Sequence, residues 1–303
     1  MSTVLHQEPF AALRTLLRGL GQIVLQRDAS TGACVLAAWL VCEPRLACAA
    51  LTGAIAANVG AVLRGYDPHD TRDGLHGFNG ALAALAAFTF IADDATAIAV
   101  AILAATAVAW MLGPWQRLLR SRGLGFYSSP CLLVTWAWLP LAHLTPVRAA
   151  ASASVSWTSL AGGVLAGVAQ TSFASTALAG LLILAGIALS SVRCALFALA
   201  GAAFATLAHW LAGADGASLL AGLSGFNGAL AALALADCGA LAAAGGVLVS
   251  IVLQLAAAHH GVPALSAPFV IATWTIRSLM RDTLREATSS NAGVAHRAAL
   301  PKR

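Results

Sequence analysis

Four kinds of side chain recur in this chain in matched pairs, and together they are groups able to handle a small, uncharged polar molecule. Gln22 and Gln170 close the segments RGLGQ (18–22) and AGVAQ (166–170). Fifty-five residues beyond each glutamine begins the same decapeptide, GFNGALAALA, at 77–86 and again at 225–234. It places Phe78 and Asn79 in one copy and Phe226 and Asn227 in the other. Ser128 and Ser266 each stand two residues before a proline, in YSSP (127–130) and LSAP (265–268). A glutamine in an apolar helix carries one acceptor and two donors that lipid leaves unsatisfied. One reading of it is glue between helices. The matched placement of Gln22 and Gln170 favours a pore-lining role instead. Ser128 and Ser266 are open between lining a path and capping the helix that follows. Two aromatic faces, from Phe78 and Phe226, make a slot for a flat solute, although plain packing is the alternative. In GFNG the two glycines suggest a non-helical turn, with Asn79 or Asn227 capping the next helix.

The missing residue types narrow the chemistry. Glu8, Glu43 and Glu286 lie at the ends or in a turn, and the aspartates lie in loops or at the edges of apolar runs. Ion- and proton-coupled carriers keep titratable groups inside the membrane despite a cost of several kcal/mol. Their absence from the centres of these runs points to an uncoupled path and an uncharged solute, with backbone-held Na⁺ as the route left to a coupled carrier. There is no Walker A loop, Gly-x-Ser-x-Gly or HExxH, so enzyme chemistry, catalytic residues and a cofactor are not expected. The six cysteines are scattered, without ligand or disulfide spacing, and no metal site is expected. His76 and His143, at span edges, read as hydrogen-bonded interfacial residues, and His259-His260 as part of a short external loop.

The elements that must position these groups are apolar. Charged residues make up 10% of the chain against roughly a quarter in soluble domains, with 59% hydrophobic residues. So little charge cannot cover a water-facing surface, whereas a bilayer requires an apolar one. Basic residues cluster at the N-terminus, at Arg117–Arg122 and near the C-terminus, which reads as topology control rather than a nucleic-acid surface. Apolar runs fall at 11–25, 31–43, 46–63, 77–92, 95–112 and 124–143, then at 157–172, 174–192, 193–212, 217–236, 239–257 and 262–280. Several are shorter than the ~20 residues that span a bilayer as a helix. We expect about ten crossings, with one element in each half that dips in without spanning.

The chain reads as an internal duplication. Copies are offset by 148 residues at the glutamine and at GFNG, and by 138 at the serine, so the second copy is ten residues shorter there. With both basic termini cytoplasmic, four crossings reach the Arg117–Arg122 loop and a fifth leads outside, to 144–156. An odd number per copy makes the copies antiparallel, which places a solute site near the midplane between them. The expected fold is therefore an all-α integral membrane protein with two inverted repeats of five transmembrane helices each, plus two half-spanning helices. Residues 1–150 form the first repeat, 151–282 the second and 283–303 a polar tail.

Gly-x-x-Gln, then Gly-Leu-x-Gly-Phe-Asn-Gly-x-Leu, then a Ser-x-Pro span, all duplicated, resembles the urea transporter family over residues 10–282. The resemblance implies ten transmembrane helices and two half-spanning pore helices. It also implies a homotrimer in the cell's inner membrane with one pore per protomer, and passive, channel-like passage of urea. Carried over position by position, Gln22 and Gln170 match the filter glutamines, with Ile23 and Thr171 bordering the path. Phe78 with Leu82, and Phe226 with Leu230, match the aromatic slots. Ser128 and Ser266 fall where the family has midpoint hydroxyls, usually threonine. Leu25 stands where a phenylalanine is common, while its counterpart Phe173 keeps the ring. The expected permeant is urea; the alternatives are another small neutral solute (ammonia, short amides, water) or a Na⁺-coupled carrier.

Overall fold

The structure is a computed structural model that describes residues 8–142 and 156–298; His143 and all of the predicted external loop but Ser156 lie outside them. It is built of helices, with no strand among the described residues. The first half comprises α1 (Glu8–Gln22), α2 (Ala29–Cys42), α3 (Pro44–Leu63), the short α4 (Pro68–Arg72), α5 (Gly77–Phe90), α6 (Asp94–Arg120) and α7 (Ser129–Trp138). The second comprises α8 (Trp157–Gln170), α9 (Ala177–Ser190), α10 (Val192–Leu211), the short α11 (Gly216–Leu220), α12 (Phe226–Ala234), α13 (Ala240–His259) and α14 (Ala267–Ala298). The last helix runs without a break past residue 283, the expected start of the tail.

Short polar residues start these helices. Asp93, Ser156, Thr176 and Ser191 each accept a hydrogen bond from a first-turn N–H of α6, α8, α9 and α10, satisfying donors that lipid cannot. Left-handed turns end them at matched places. Gly65 and Gly213 (φ 72° and 83°) follow α3 and α10, and Gly74 and Gly222 (both φ 78°) precede α5 and α12. A Cβ at Gly74 would fall 2.4 Å from the Gly19 nitrogen, and one at Gly222 2.2 Å from the Ala166 carbonyl carbon. The apolar run 217–236, expected as one element, is therefore two helices hinged at Gly222. Seven of the ten residues missing from the second half are missing from α13, which has 20 residues where α6 has 27.

Helices α3, α5 and α6 pack as one triad, α10, α12 and α13 as another, and α2 against α9 joins the halves. The glycines of GFNG serve this packing. A Cβ on Gly53 would sit 2.2 Å from the Gly80 carbonyl oxygen, and one on Gly201 2.4 Å from that of Gly228. Small residues let the backbones close up in this way. GFNG is thus the first turn of a helix and not the non-helical turn expected. Across the α2–α9 seam, Thr31 Oγ1 donates to the Gly186 carbonyl at 2.8 Å, and Trp39 Nε1 donates to the Ser172 carbonyl at 3.1 Å.

The outside is apolar. Leu40, Val59, Leu63, Leu103, Leu181, Leu189, Leu196 and Val252 are all exposed on helix surfaces. By length and composition α3, α6, α10 and α13 are each able to cross a bilayer, and α2, α5, α7 and α9 are shorter apolar helices. His76 is buried without a protein hydrogen-bond partner for either ring nitrogen, unlike the hydrogen-bonded residue expected. It stacks flat on Tyr66 instead, with centroids 5.2 Å apart.

Candidate functional site

Helices α1 and α8 end at their glutamines, in a turn whose left-handed residue is not a glycine. After Gln22 the chain turns through Leu25 at φ 60°, and after Gln170 through Phe173 at φ 64°. The turn is held because the Leu25 N–H donates to the Gln22 carbonyl at 3.0 Å and the Gln26 N–H to the Gly21 carbonyl at 3.1 Å. A second pair of left-handed residues, Tyr127 (φ 47°) and Leu265 (φ 48°), precedes α7 and α14. A bulky side chain in this region costs about 1–2 kcal/mol, and such strain gathers where a side chain must be aimed. All four residues border one cavity.

That cavity, of about 200 Å³, lies between the halves. The twelve residues expected from the sequence to border the path all line it: Gln22, Ile23, Leu25, Phe78, Leu82 and Ser128 from the first half, and Gln170, Thr171, Phe173, Phe226, Leu230 and Ser266 from the second. Others had not been singled out. Tyr127 and Leu265 immediately precede the paired serines, and that matched position is the one sequence signal that pointed to them. Thr89 and Phe90 extend the wall along α5, and Cys131, Leu132, Thr135 and Phe269 add the inner faces of α7 and α14. None of the lining side chains is Asp, Glu, Lys, Arg or His.

The polar groups are held in defined orientations. Gln22 Nε2 donates to the Asp73 carbonyl, and Gln170 Nε2 donates to the Ala221 carbonyl at 3.0 Å. Each amide is thereby pinned by the turn ahead of α5 or α12, and its Oε1 receives no hydrogen bond among the described residues. Both glutamines thus act as glue through nitrogen while offering an acceptor through oxygen. Ser128 Oγ and Ser266 Oγ lie 2.8 Å apart, a hydrogen bond joining the two halves inside the cavity.

The asparagines explain why Ser128 is free to do this. Asn79 Nδ2 donates to the Tyr127 carbonyl at 2.9 Å, while its Oδ1 accepts from the Cys131 N–H at 3.2 Å. Asn227 repeats both bonds, to the Leu265 carbonyl at 3.1 Å and from the Phe269 N–H at 3.2 Å. The asparagines therefore cap α7 and α14 from across the fold, not the helices that contain them, as had been expected. Ser128 occupies the N-cap position of α7 and makes no capping bond. With Asn79 supplying the cap, its hydroxyl is left for the cavity.

A larger hollow, of about 400 Å³, shares Gln22, Leu25, Phe78 and Tyr127 with the cavity and forms a mouth lined also by Arg27, Asp237 and Arg277. Arg277 donates to both Asp237 carboxylate oxygens, at 2.9 and 3.0 Å. Burial pushes the Asp237 carboxyl up, but the hydrogen bond and charge of Arg277 outweigh it and hold it below the usual carboxylate range. Charge thus stands at the mouth and stops short of the cavity. Among the described residues no cluster of His, Cys, Asp or Glu is able to hold a metal ion, and all six cysteines are free.

An all-helical membrane protein with an uncharged, amide- and hydroxyl-lined cavity between its halves belongs to the class that carries solutes. The family model described as "Urea transporter" matches residues 13–281, and the chain belongs to that family. No curated protein matches the chain.

Proposed function

We propose that this protein is a passive channel for urea, built from two inverted repeats. The crossings are α2, α3, α5, α6 and α7 in one repeat and α9, α10, α12, α13 and α14 in the other. Helices α1 and α8 are the half-spanning pore helices. What sets them apart is that both end at the cavity in a glutamine, where the chain turns back through a left-handed residue. The assembly is a homotrimer in the inner membrane, with one passage per protomer and both termini cytoplasmic.

One observation carries this reading: two glutamines pinned through their nitrogens and a hydrogen-bonded pair of serines line one apolar cavity that has no charged side chain. Urea offers four N–H donors and one carbonyl acceptor. Gln22 Oε1 and Gln170 Oε1 accept from its N–H groups, and the Ser128–Ser266 pair can turn a hydroxyl proton to its carbonyl. The carbonyl ends of α1 and α8 favour the N–H side of the solute, and the N–H ends of α7 and α14 its oxygen. Each exchanged hydrogen bond is worth only about 0.5–1.5 kcal/mol net, so the solute is held loosely enough to leave, as conduction requires. The aliphatic and aromatic walls offer a hydrated ion nothing to replace its water.

Purified protein in liposomes tests the reading. Urea entry should follow its own gradient and be unaffected by a Na⁺ gradient, by pH between 6 and 8, or by voltage. Uphill accumulation driven by Na⁺ would replace the channel with a coupled carrier, and entry of ammonia or water without urea would make it a pore for another neutral solute.

A further inference from the structure

The two ends of the cavity are not furnished alike. In the turn after α8 the left-handed residue is Phe173; in the turn after α1 it is Leu25. The backbone is the same, yet one end has lost an aromatic ring. A ring missing from this turn is present on another loop. Phe126, two residues before Ser128, corresponds to Ala264, two residues before Ser266. Phe126 stacks on Phe78, with centroids 5.8 Å apart and planes 28° apart. It borders the hollow at the mouth together with Gln22, Leu25 and Phe78. Its loop is fixed from two sides: the Ser129 N–H donates to the Phe126 carbonyl at 3.0 Å, and Trp274 Nε1 donates to the Gly125 carbonyl at 2.6 Å.

We propose that Phe126 is the aromatic wall at this mouth, in exchange for the ring that Leu25 lacks, and that it sets which substituted ureas pass. The inference rests on the urea-channel reading above. Stacking restrains the plane of Phe78, one of the rings lining the passage, and a leucine side chain has no flat face with which to do the same. Once Phe126 is removed, Phe78 is free to tilt toward the hollow. The mouth then loses its flat profile and admits bulkier N-methylated solutes relative to urea.

The test is light-scattering flux of urea and N,N′-dimethylurea into liposomes holding wild type, Phe126→Ala, or Phe126→Ala combined with Leu25→Phe. The urea-to-dimethylurea permeability ratio should fall roughly three- to ten-fold in the single variant, the scale of one aromatic pair. The double variant should recover most of that loss, because it returns the ring to the place Phe173 holds at the other end. Failure of Leu25→Phe to rescue, in a variant that keeps its unfolding midpoint, would reduce Phe126 to a structural residue and overturn the inference. If Phe126→Ala does not fold, Phe126→Tyr and Phe126→Leu replace it; the first should keep the ratio and the second lose it, and equal ratios would overturn the proposal. A wild-type chain that carries no urea overturns the channel reading and this inference with it. A conducting wild type with an unchanged ratio in the alanine variant overturns this inference alone.

Discussion

Replacing Asn79 by alanine removes a fully buried side chain that makes two bonds to one short segment. Loss of Oδ1 leaves the Cys131 N–H in the first turn of α7 without its cap, worth about 1 kcal/mol in comparable cases. Loss of Nδ2 leaves the half-buried carbonyl of Tyr127 without its donor, at a cost of about 1–3 kcal/mol. Tyr127 is already held at φ 47°, and the Asn79 bond is what opposes its relaxation. The sum, about 2–4 kcal/mol, should appear as a lower midpoint of thermal unfolding in detergent. It should also appear in transport, since Ser128 follows Tyr127 directly and its 2.8 Å bond to Ser266 depends on that geometry. Without Asn79 the Ser128 hydroxyl becomes the natural cap for α7, and it turns away from the cavity. Urea flux should then fall by about tenfold, the equivalent of one displaced hydrogen bond at 1.4 kcal/mol. A variant with an unchanged midpoint would refute the capping argument. One that is destabilised yet conducts normally would refute the link from Asn79 through Ser128 to the passage.

Gln22→Leu should lower urea flux while the protein folds and elutes as wild type, because leucine fills a similar volume and a single bond, to the Asp73 carbonyl, is lost; unchanged flux would remove Gln22 from the filter. Gly53→Val should abolish folding or cost about 3 kcal/mol or more, since its Cβ would lie 2.2 Å from a backbone oxygen; expression and monodispersity report it. At the mouth, Asp237 has a depressed pKa, so its ion pair contributes stability above the unfolded carboxyl pKa of about 3.9 and loses it as pH falls through the lower folded value. The side chain is 68% exposed, so Asp237→Asn at pH 7 should cost well under 1 kcal/mol. The difference between variant and wild type should shrink in unfolding measured at pH values falling below about 3.9, and vanish once the pH is below the folded value.

The pairing of residues was legible because duplication leaves its mark in spacing. Gln22 with Gln170, Phe78 with Phe226 and Ser128 with Ser266 were all found from matched offsets, and the absence of charge from apolar runs followed from composition. The helical, membrane-embedded class was equally plain, since little charge and long apolar runs admit few other solutions. What each polar atom bonds to was not legible. Asn79 looked like a cap for its own helix because sequence shows only neighbours along the chain, and its partners lie 48 and 52 residues away. The glycines of GFNG looked like a turn because a glycine kept for close helix contact and one kept for backbone freedom are the same letter. Only packing, with the Gly80 oxygen 2.2 Å from the missing Cβ of Gly53, separates them. Tyr127 and Leu265 read as ordinary apolar residues, and their left-handed backbone exists because α7 and α14 are gripped by asparagines from other helices. Phe126 carried no signal at all, since its match in the second half is an alanine; its stacking on Phe78 is a fact of three dimensions. Spacing along the chain thus decided which residues form pairs, and the fold decided which atoms of each pair are spent on structure and which are left facing the cavity.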